Sequence, residues 1–184
     1  MAKRKRVFII IDGSNFYHKL RELGFVDLLK FDFAGFVRFL AGNKKIVSRK
    51  YYVGAVREVP KSPKSKKLLA DQQRLLVRLK KQNFTYALGY LLKTDRFHEK
   101  GVDVNIAVDI LVGAYENLYD RLILVSSDTD LLPAIIKTKE KGKEVEYVGF
   151  SHQPSFALIR HATETRLLRK EDLTPFASKS KKGK

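Results

Sequence analysis

Residues Arg6 to Leu20 read RVFIIIDGSNFYHKL: five consecutive apolar residues, Val7 to Ile11, run straight into Asp12, Gly13, Ser14 and Asn15. An unbroken run rich in β-branched residues and closed by turn formers predicts a strand buried on both faces, because a half-solvated strand would alternate. After the turn the period changes. Tyr17, Leu20 and Leu23 recur at helical spacing up to Gly24, with Ser14 or Asn15 as the expected cap. A strand passing through one tight turn into a helix is the first half of a βαβ unit.

The rest of the chain repeats this alternation. DFAGFVRFLAG has helical spacing, with Asp32 as cap and Gly42 as stop. KIVSRKYYVGAV predicts a second strand ending near Val56, and REVPKSPKSKK, rich in Pro, Ser and Lys, an exposed basic loop. LLADQQRLLVRLKKQ is helical, FTYALGYLL is a third strand broken or bulged at Gly89, and TDRFHEKG is another charged loop. DVNIAVDILVGAYEN is helical, RLILVSSD a fourth strand, LLPAIIKTKEKG a helix closed by Gly142, and EVEYVGF a fifth strand. A short helix over PSFALIRHA and an extended TRLL complete the pattern. The expected organisation is one domain over residues 1–176 and a basic disordered tail over 177–184, with no internal repeat.

Strands separated by helices imply right-handed crossovers and a mostly parallel sheet of about five strands covered on both faces, a three-layer α/β/α sandwich. In such sheets ligands bind outside the carboxyl ends of the strands. Asp12, where the first strand gives way to its helix, belongs at that edge.

Charge narrows the partner. Lys and Arg number 37 against 20 Asp and Glu, a net charge of +17, and such a surplus attracts polyanions, nucleic acid first among them. No basic amphipathic helix with exposed aromatics favours a membrane surface, and no apolar segment approaches the roughly twenty residues that span a bilayer. The apolar run after the basic start MAKRKR is shorter than the roughly seven to fifteen residues of a signal-peptide core, so it reads as a strand. The absence of cysteine excludes a disulfide framework and a Cys-ligated zinc or iron–sulfur site, and fits an expected cytoplasmic location. No interface signature is legible, although a homodimer would extend the basic surface.

RLILVSSDTDLLP repeats the opening arrangement: an apolar strand ends in Ser126, Ser127, Asp128 and Asp130. Two carboxylates two residues apart repel unless a positive charge lies between them, and a divalent metal is the economical remedy. A third acid, Asp103, begins a helix that the preceding strand and loop deliver to the same edge. Hard oxygen donors without a His or Cys cluster favour Mg²⁺ or Mn²⁺ over zinc. His18, His98, His152 and His161 show no metal-ligand spacing and read as surface or structural.

Asp12-Gly13-Ser14-Asn15 after the first strand, Lys100-Gly101-Val102-Asp103 leading a helix with Asp109, and Ser126-Ser127-Asp128-Thr129-Asp130 after a later strand together resemble the NYN domain, the LabA-like branch of the PIN-like nucleases. The resemblance runs from about Val7 to about Leu168. It implies a Rossmann-like, PIN-like sandwich whose acidic pocket binds Mg²⁺ or Mn²⁺ and, in active members, cleaves RNA. By position it makes Asp12, Asp103, Asp128 and Asp130 the metal-binding catalytic acids, with Asn15 and Ser127 supporting them. Asp109 matches a recurrent acidic position but lies six residues past Asp103, on another helix face, where it would hold the helix or a basic side chain. One departure is Leu131 after the second acid, where an aromatic residue is common.

A carboxylate-held divalent metal supplies what phosphodiester hydrolysis needs: a deprotonated water, alignment, and charge relief on the leaving oxygen. The basic loops should flank the pocket and hold the backbone through Arg57, Lys61, Lys64, Lys66, Lys67, Lys93, Arg96 and Lys100. Tyr51, Tyr52, Phe84 and Tyr86 lie in strands and read as core, leaving Phe97 as the candidate for base stacking.

Rival readings stay open. Asp12, Asp128 and Asp130 each suit a helix cap, and Lys-rich loops are often plain solvated surface. A phosphatase of the haloacid-dehalogenase type also uses a strand followed by Asp-x-Asp, but its unit comes first in the chain and wants Thr or Val where Leu132 stands. The adhesion-type Asp-x-Ser-x-Ser site fails at Phe16. The stronger alternative is a non-catalytic RNA-binding module that keeps the acidic pocket.

Overall fold

The computed structural model describes residues 4–25, 27–59, 62–93 and 97–177, with side chains described outside 91–100. In chain order the elements are β1 (Arg6–Asp12), α1 (Gly13–Glu22), α2 (Phe33–Ala41), β2 (Lys45–Val53), α3 (Pro63–Lys81), β3 (Thr85–Leu88), β4 (Tyr90–Lys93), β5 (Phe97–Lys100), α4 (Val102–Tyr115), β6 (Arg121–Val125), α5 (Leu132–Glu140), β7 (Glu144–Phe150), α6 (Phe156–His161), β8 (Glu164–Leu168) and α7 (Lys170–Leu173). None of the described helices is long and apolar enough to cross a membrane.

Six strands form one sheet in the order β3-β2-β1-β6-β7-β8, and every pair is parallel. The expectation of about five strands is corrected to six. The added one is the extended TRLL segment, an edge strand paired with β7 whose side chains are largely exposed. That partial exposure removes the apolar run that marks a buried strand. β1 shows the contrast: at the centre, everything from Val7 to Asp12 is buried.

Parity along β1 divides the core into two layers. Val7, Ile9 and Ile11 face one side with α1, α2 and the end of α3, while Phe8 and Ile10 face the other with α4, α5 and Leu158 of α6. On the first side the rings of Phe16, Phe31, Phe33 and Phe36 interlock, with centroids 5.0 Å apart for Phe31–Phe33 and 5.4 Å for Phe16–Phe36. Such pairs contribute about 0.5–1.5 kcal/mol beyond their burial. Because Phe16 lies one turn after Asp12, this cluster fixes the start of α1 and hence the edge where Asp12 stands.

Three local readings change. FTYALGYLL is two strands: β3 ends at Leu88, the Gly89 N–H donates to the Val53 carbonyl at 3.1 Å, and β4 then pairs antiparallel with β5 in a separate ribbon. TDRFHEKG is therefore partly strand. The basic loop is shorter than expected, because Ser62 caps α3 by accepting from the Ser65 N–H at 3.3 Å and Pro63 takes the first helical position.

The amino edge of the sheet is held by charge. Buried Arg121 contacts Glu144 at 2.6 Å, Glu146 at 3.1 Å and Glu164 at 2.7 Å, and buried Glu146 also takes Arg166 at 2.8 Å.

Candidate metal centre

The strand order reverses direction at β1 and β6. After β1 the chain turns to the face that carries α1, and after β6 to the face that carries α5, so the two loops part and leave a crevice at the carboxyl edge. The register Ile11↔Val125 makes Asp12 and Ser126 the next residues beyond the ladder. α4 brings Asp103 to the same crevice in its first turn, after Gly101 in the left-handed region at φ +82°.

One carboxylate oxygen from each of Asp12, Asp103 and Asp128 lies within 4.8 Å of the others. Asp12 is buried and is itself the cap of α1, correcting the expectation of Ser14 or Asn15: its Oδ1 accepts from the Asn15 N–H at 3.0 Å. Its Oδ2 accepts from Ser126 Oγ at 2.8 Å, and Ser126 Oγ accepts from the Asp128 N–H at 3.1 Å. Ser126, itself buried, thus ties two acids of the triad to one hydroxyl.

Asn15, Ser127 and Tyr51, next to the triad, are each held in turn. Asn15 Oδ1 accepts from the Ser127 N–H at 3.2 Å, locking the two loops together across the crevice. Ser127 Oγ meets the Tyr147 hydroxyl at 3.1 Å, and that hydroxyl accepts from the Ser155 N–H at 3.0 Å. Gly13 lets buried Tyr51 reach beneath the turn, since a Cβ there would lie 2.3 Å from the Tyr51 ring.

Without a cation the site is electrostatically unfavourable. Burial pushes the Asp12 carboxyl above its ordinary range and the charge of Asp128 adds to this, against hydrogen bonds from Asn15, Ser126 and Ser14. Asp103 is likewise raised, by burial first and then by Asp128, Asp12 and Asp130. Three converging carboxylates with no His or Cys among them make a hard-oxygen donor set that fits a divalent cation.

Other expected residues lie outside the triad. Asp130 is exposed and donates its N–H to Asp128 Oδ1 at 2.9 Å. Asp109 faces β2, where its Oδ2 takes the Lys50 ammonium and, at 2.5 Å, the Tyr52 hydroxyl. Arg57 is exposed in the loop after β2, and Lys64, Lys66 and Lys67 are exposed in the first turns of α3, whose N-terminus that loop delivers to the carboxyl edge. Lys93 and Lys100 sit in β4 and β5, but their side chains, like that of Phe97, lie outside the described residues, as do Lys61 and Arg96 altogether.

Two residues join the site beyond those expected from sequence. Ser126 is legible from parity: it follows Leu122 and Leu124 onto the face that also carries Phe8, Ile10 and Asp12. His18 lines a cleft of about 330 Å³ together with Ser14, Gly101 and the triad. Its signal is the four-residue step from Ser14 along one face of α1.

No curated protein matches the chain. The crystal structure of a protein of unknown function from Vibrio parahaemolyticus is similar to it, with a TM-score of 0.71 and 25% identity over 94% of this chain and 99% of that one. The NYN domain profile matches residues 6–168, from the first residue of β1 to the last of β8 and across all three aspartates. The fold, the triad at its switch point and this match lead to one conclusion: the chain belongs to the NYN domain family.

Proposed function

We propose that this protein is a metal-dependent ribonuclease of the LabA-like branch of the PIN-like nucleases, hydrolysing RNA phosphodiesters with Mg²⁺ or Mn²⁺ held by Asp12, Asp103 and Asp128, with Asp130 as an outer acid. The observation that carries this reading is the convergence of three carboxylates within 4.8 Å at the carboxyl edge of a parallel sheet in a chain of net charge +17. A divalent cation held there supplies a lowered pKa for the attacking water and charge relief at the departing oxygen.

The chain's own residues do the rest. Asn15 and Ser126 hold the Asp12 carboxylate in one orientation, which keeps the donor set preorganised. Arg57, Lys64, Lys66 and Lys67 draw the phosphate backbone to the rim, and Lys61, Lys93, Arg96 and Lys100 are assigned the same role from their place in the chain. The acidic floor repels phosphate unless metal is bound, so binding at the scissile position and metal loading are coupled. Action in the cytoplasm, as one domain over residues 1–176, completes the proposal.

The test is cleavage of end-labelled single-stranded and hairpin RNAs with Mn²⁺, Mg²⁺ or EDTA, beside a folded Asp12→Asn, Asp128→Asn variant. Metal-dependent cleavage that the variant loses supports the reading. Intact RNA that still binds in a salt-sensitive manner overturns it in favour of a non-catalytic RNA-binding module.

A further inference from the structure

We infer that Tyr90 is a nucleobase-stacking platform at the rim of the acidic cleft, seating a base of single-stranded nucleic acid beside the triad. The inference rests on the proposal that nucleic acid occupies this cleft.

Topology puts the ring there. β3 ends at Leu88, and the ribbon of β4 and β5 carries the chain from the sheet to α4. Tyr90 opens that ribbon opposite Lys100, so Gly101, the next residue, abuts it. The Tyr90 ring lies so close that a Cβ on Gly101 would be 2.6 Å from ring carbon Cζ and 2.8 Å from the hydroxyl oxygen. Gly101 lines the cleft and stands two residues before Asp103. An aromatic ring is thus docked against the backbone that delivers an acid of the triad.

Its surroundings argue against a purely structural tyrosine. Of the eight tyrosines, Tyr51, Tyr52, Tyr119 and Tyr147 are buried and hydrogen-bonded through their hydroxyls. Tyr17 takes Arg21, Tyr86 takes Lys80 and Tyr115 takes Lys141. Tyr90 remains, 57% exposed, with neither a hydrogen bond nor a cation among the described residues. A ring with no such partner among the described residues, held on one side by glycine, offers its surface to a ligand that needs no directional bonds. Every base has such a π-face, which makes the platform tolerant of sequence and selective for unpaired strands.

Gly101 has two reasons to be glycine: its positive φ and the space that the ring occupies. The same glycine fixes the height of the ring above the cleft. A base seated on Tyr90 therefore sits at a constant distance from Asp103, so the platform sets which phosphodiester faces the triad.

The test uses short single-stranded oligoribonucleotides carrying one 2-aminopurine, scanned along the sequence and bound to the full chain with Ca²⁺ at the carboxylates, beside a control in EDTA, with fluorescence and affinity read together. Wild type should quench strongly at one or two positions. Tyr90→Phe and Tyr90→Trp should keep the quench, whereas Tyr90→Ala and Tyr90→Leu should lose it and bind roughly 5- to 150-fold more weakly, the range for removing one base stack. Tyr90→Leu retains apolar bulk against Gly101, so a leucine variant that behaves like Phe would show a packing element and overturn the inference. Unchanged quench and affinity in Tyr90→Ala would also overturn it. Cleavage in Mn²⁺ is scored separately: loss of the ribonuclease reading shows as intact RNA, while loss of the platform shows as an unmoved quench.

Discussion

Ser126 Oγ donates to Asp12 Oδ2 at 2.8 Å while accepting from the Asp128 N–H at 3.1 Å, so one hydroxyl joins the ends of β1 and β6 where their helices part to opposite faces. Removing it leaves one oxygen of a buried carboxylate without its donor. Ser126→Ala should weaken Mn²⁺ affinity by about 10- to 100-fold, the usual effect of losing a group that orients a ligand, while the fold stays intact. Calorimetric titration with Mn²⁺ checks this, and an unchanged affinity would mean that the hydroxyl serves packing alone.

Asp12 carries a stability signature of its own. Its carboxyl is raised by burial, so its contribution to stability is fully present below the ordinary carboxylate range and is lost as pH rises through its raised value. In EDTA at neutral pH, Asp12→Asn should therefore melt higher than wild type. Adding Mn²⁺ should reverse the order: at about 100 times Kd, wild type gains about 2.7 kcal/mol by mass action and the variant far less. Melting curves with and without Mn²⁺ read both effects.

The opposite sign holds at the amino edge. Asp120 is held down to about 2 by hydrogen bonds from Arg6, so its contribution is present above the ordinary carboxylate range and fades as pH falls from about 4 toward about 2. Asp120→Asn should flatten the acid limb of the stability curve without altering RNA cleavage at neutral pH.

Gly13→Ala tests the turn beneath the site. The added methyl would lie 2.3 Å from the fully buried Tyr51 ring, so β2 or α1 must shift. Overpacking of this kind costs about 1–3 kcal/mol, which is about 2–12 °C in Tm for a chain of this size. Because Asp12 caps α1 and precedes the substituted residue, metal affinity should fall with stability. A variant of reduced Tm and unaltered Mn²⁺ binding would show that the triad does not depend on this packing.

Replacing Lys64, Lys66 and Lys67 together by Gln should weaken RNA binding at about 0.15 M salt and lower the slope of log affinity against log salt by about 0.7 for each phosphate that is no longer neutralised. An unaltered slope would assign these cations to solvent.

Much of this site is legible in the sequence. The buried run of β1 and its abrupt end at Asp12 place an acid at the carboxyl edge, and RLILVSSD repeats the message because central parallel strands must be apolar on both faces. Where edges and ribbons begin, that rule fails. β8 is largely exposed, so its residues carry no buried run, and Gly89 reads as a bulge inside one strand although it separates two strands of different sheets. The Ser62-Pro63 cap of α3 has the right residue types but is masked by the Lys and Ser around it. Spacing puts Asp109 on another face of α4, set to hold a basic side chain, but which one is not legible, since its partners Lys50 and Tyr52 come from a strand more than fifty residues away. His18 shares a face of α1 with Ser14 through its four-residue step, but it takes the cleft to show that this face lines the site.

The most direct measurement is a crystal of the full chain grown or soaked with Mn²⁺, with anomalous diffraction recorded at the manganese edge. The expected result is a peak bounded by one carboxylate oxygen each from Asp12, Asp103 and Asp128, and its loss in Asp103→Asn. A chain that binds Mn²⁺ elsewhere, or that shows no peak between these three acids at saturating Mn²⁺, would contradict the assignment of the triad as the metal centre.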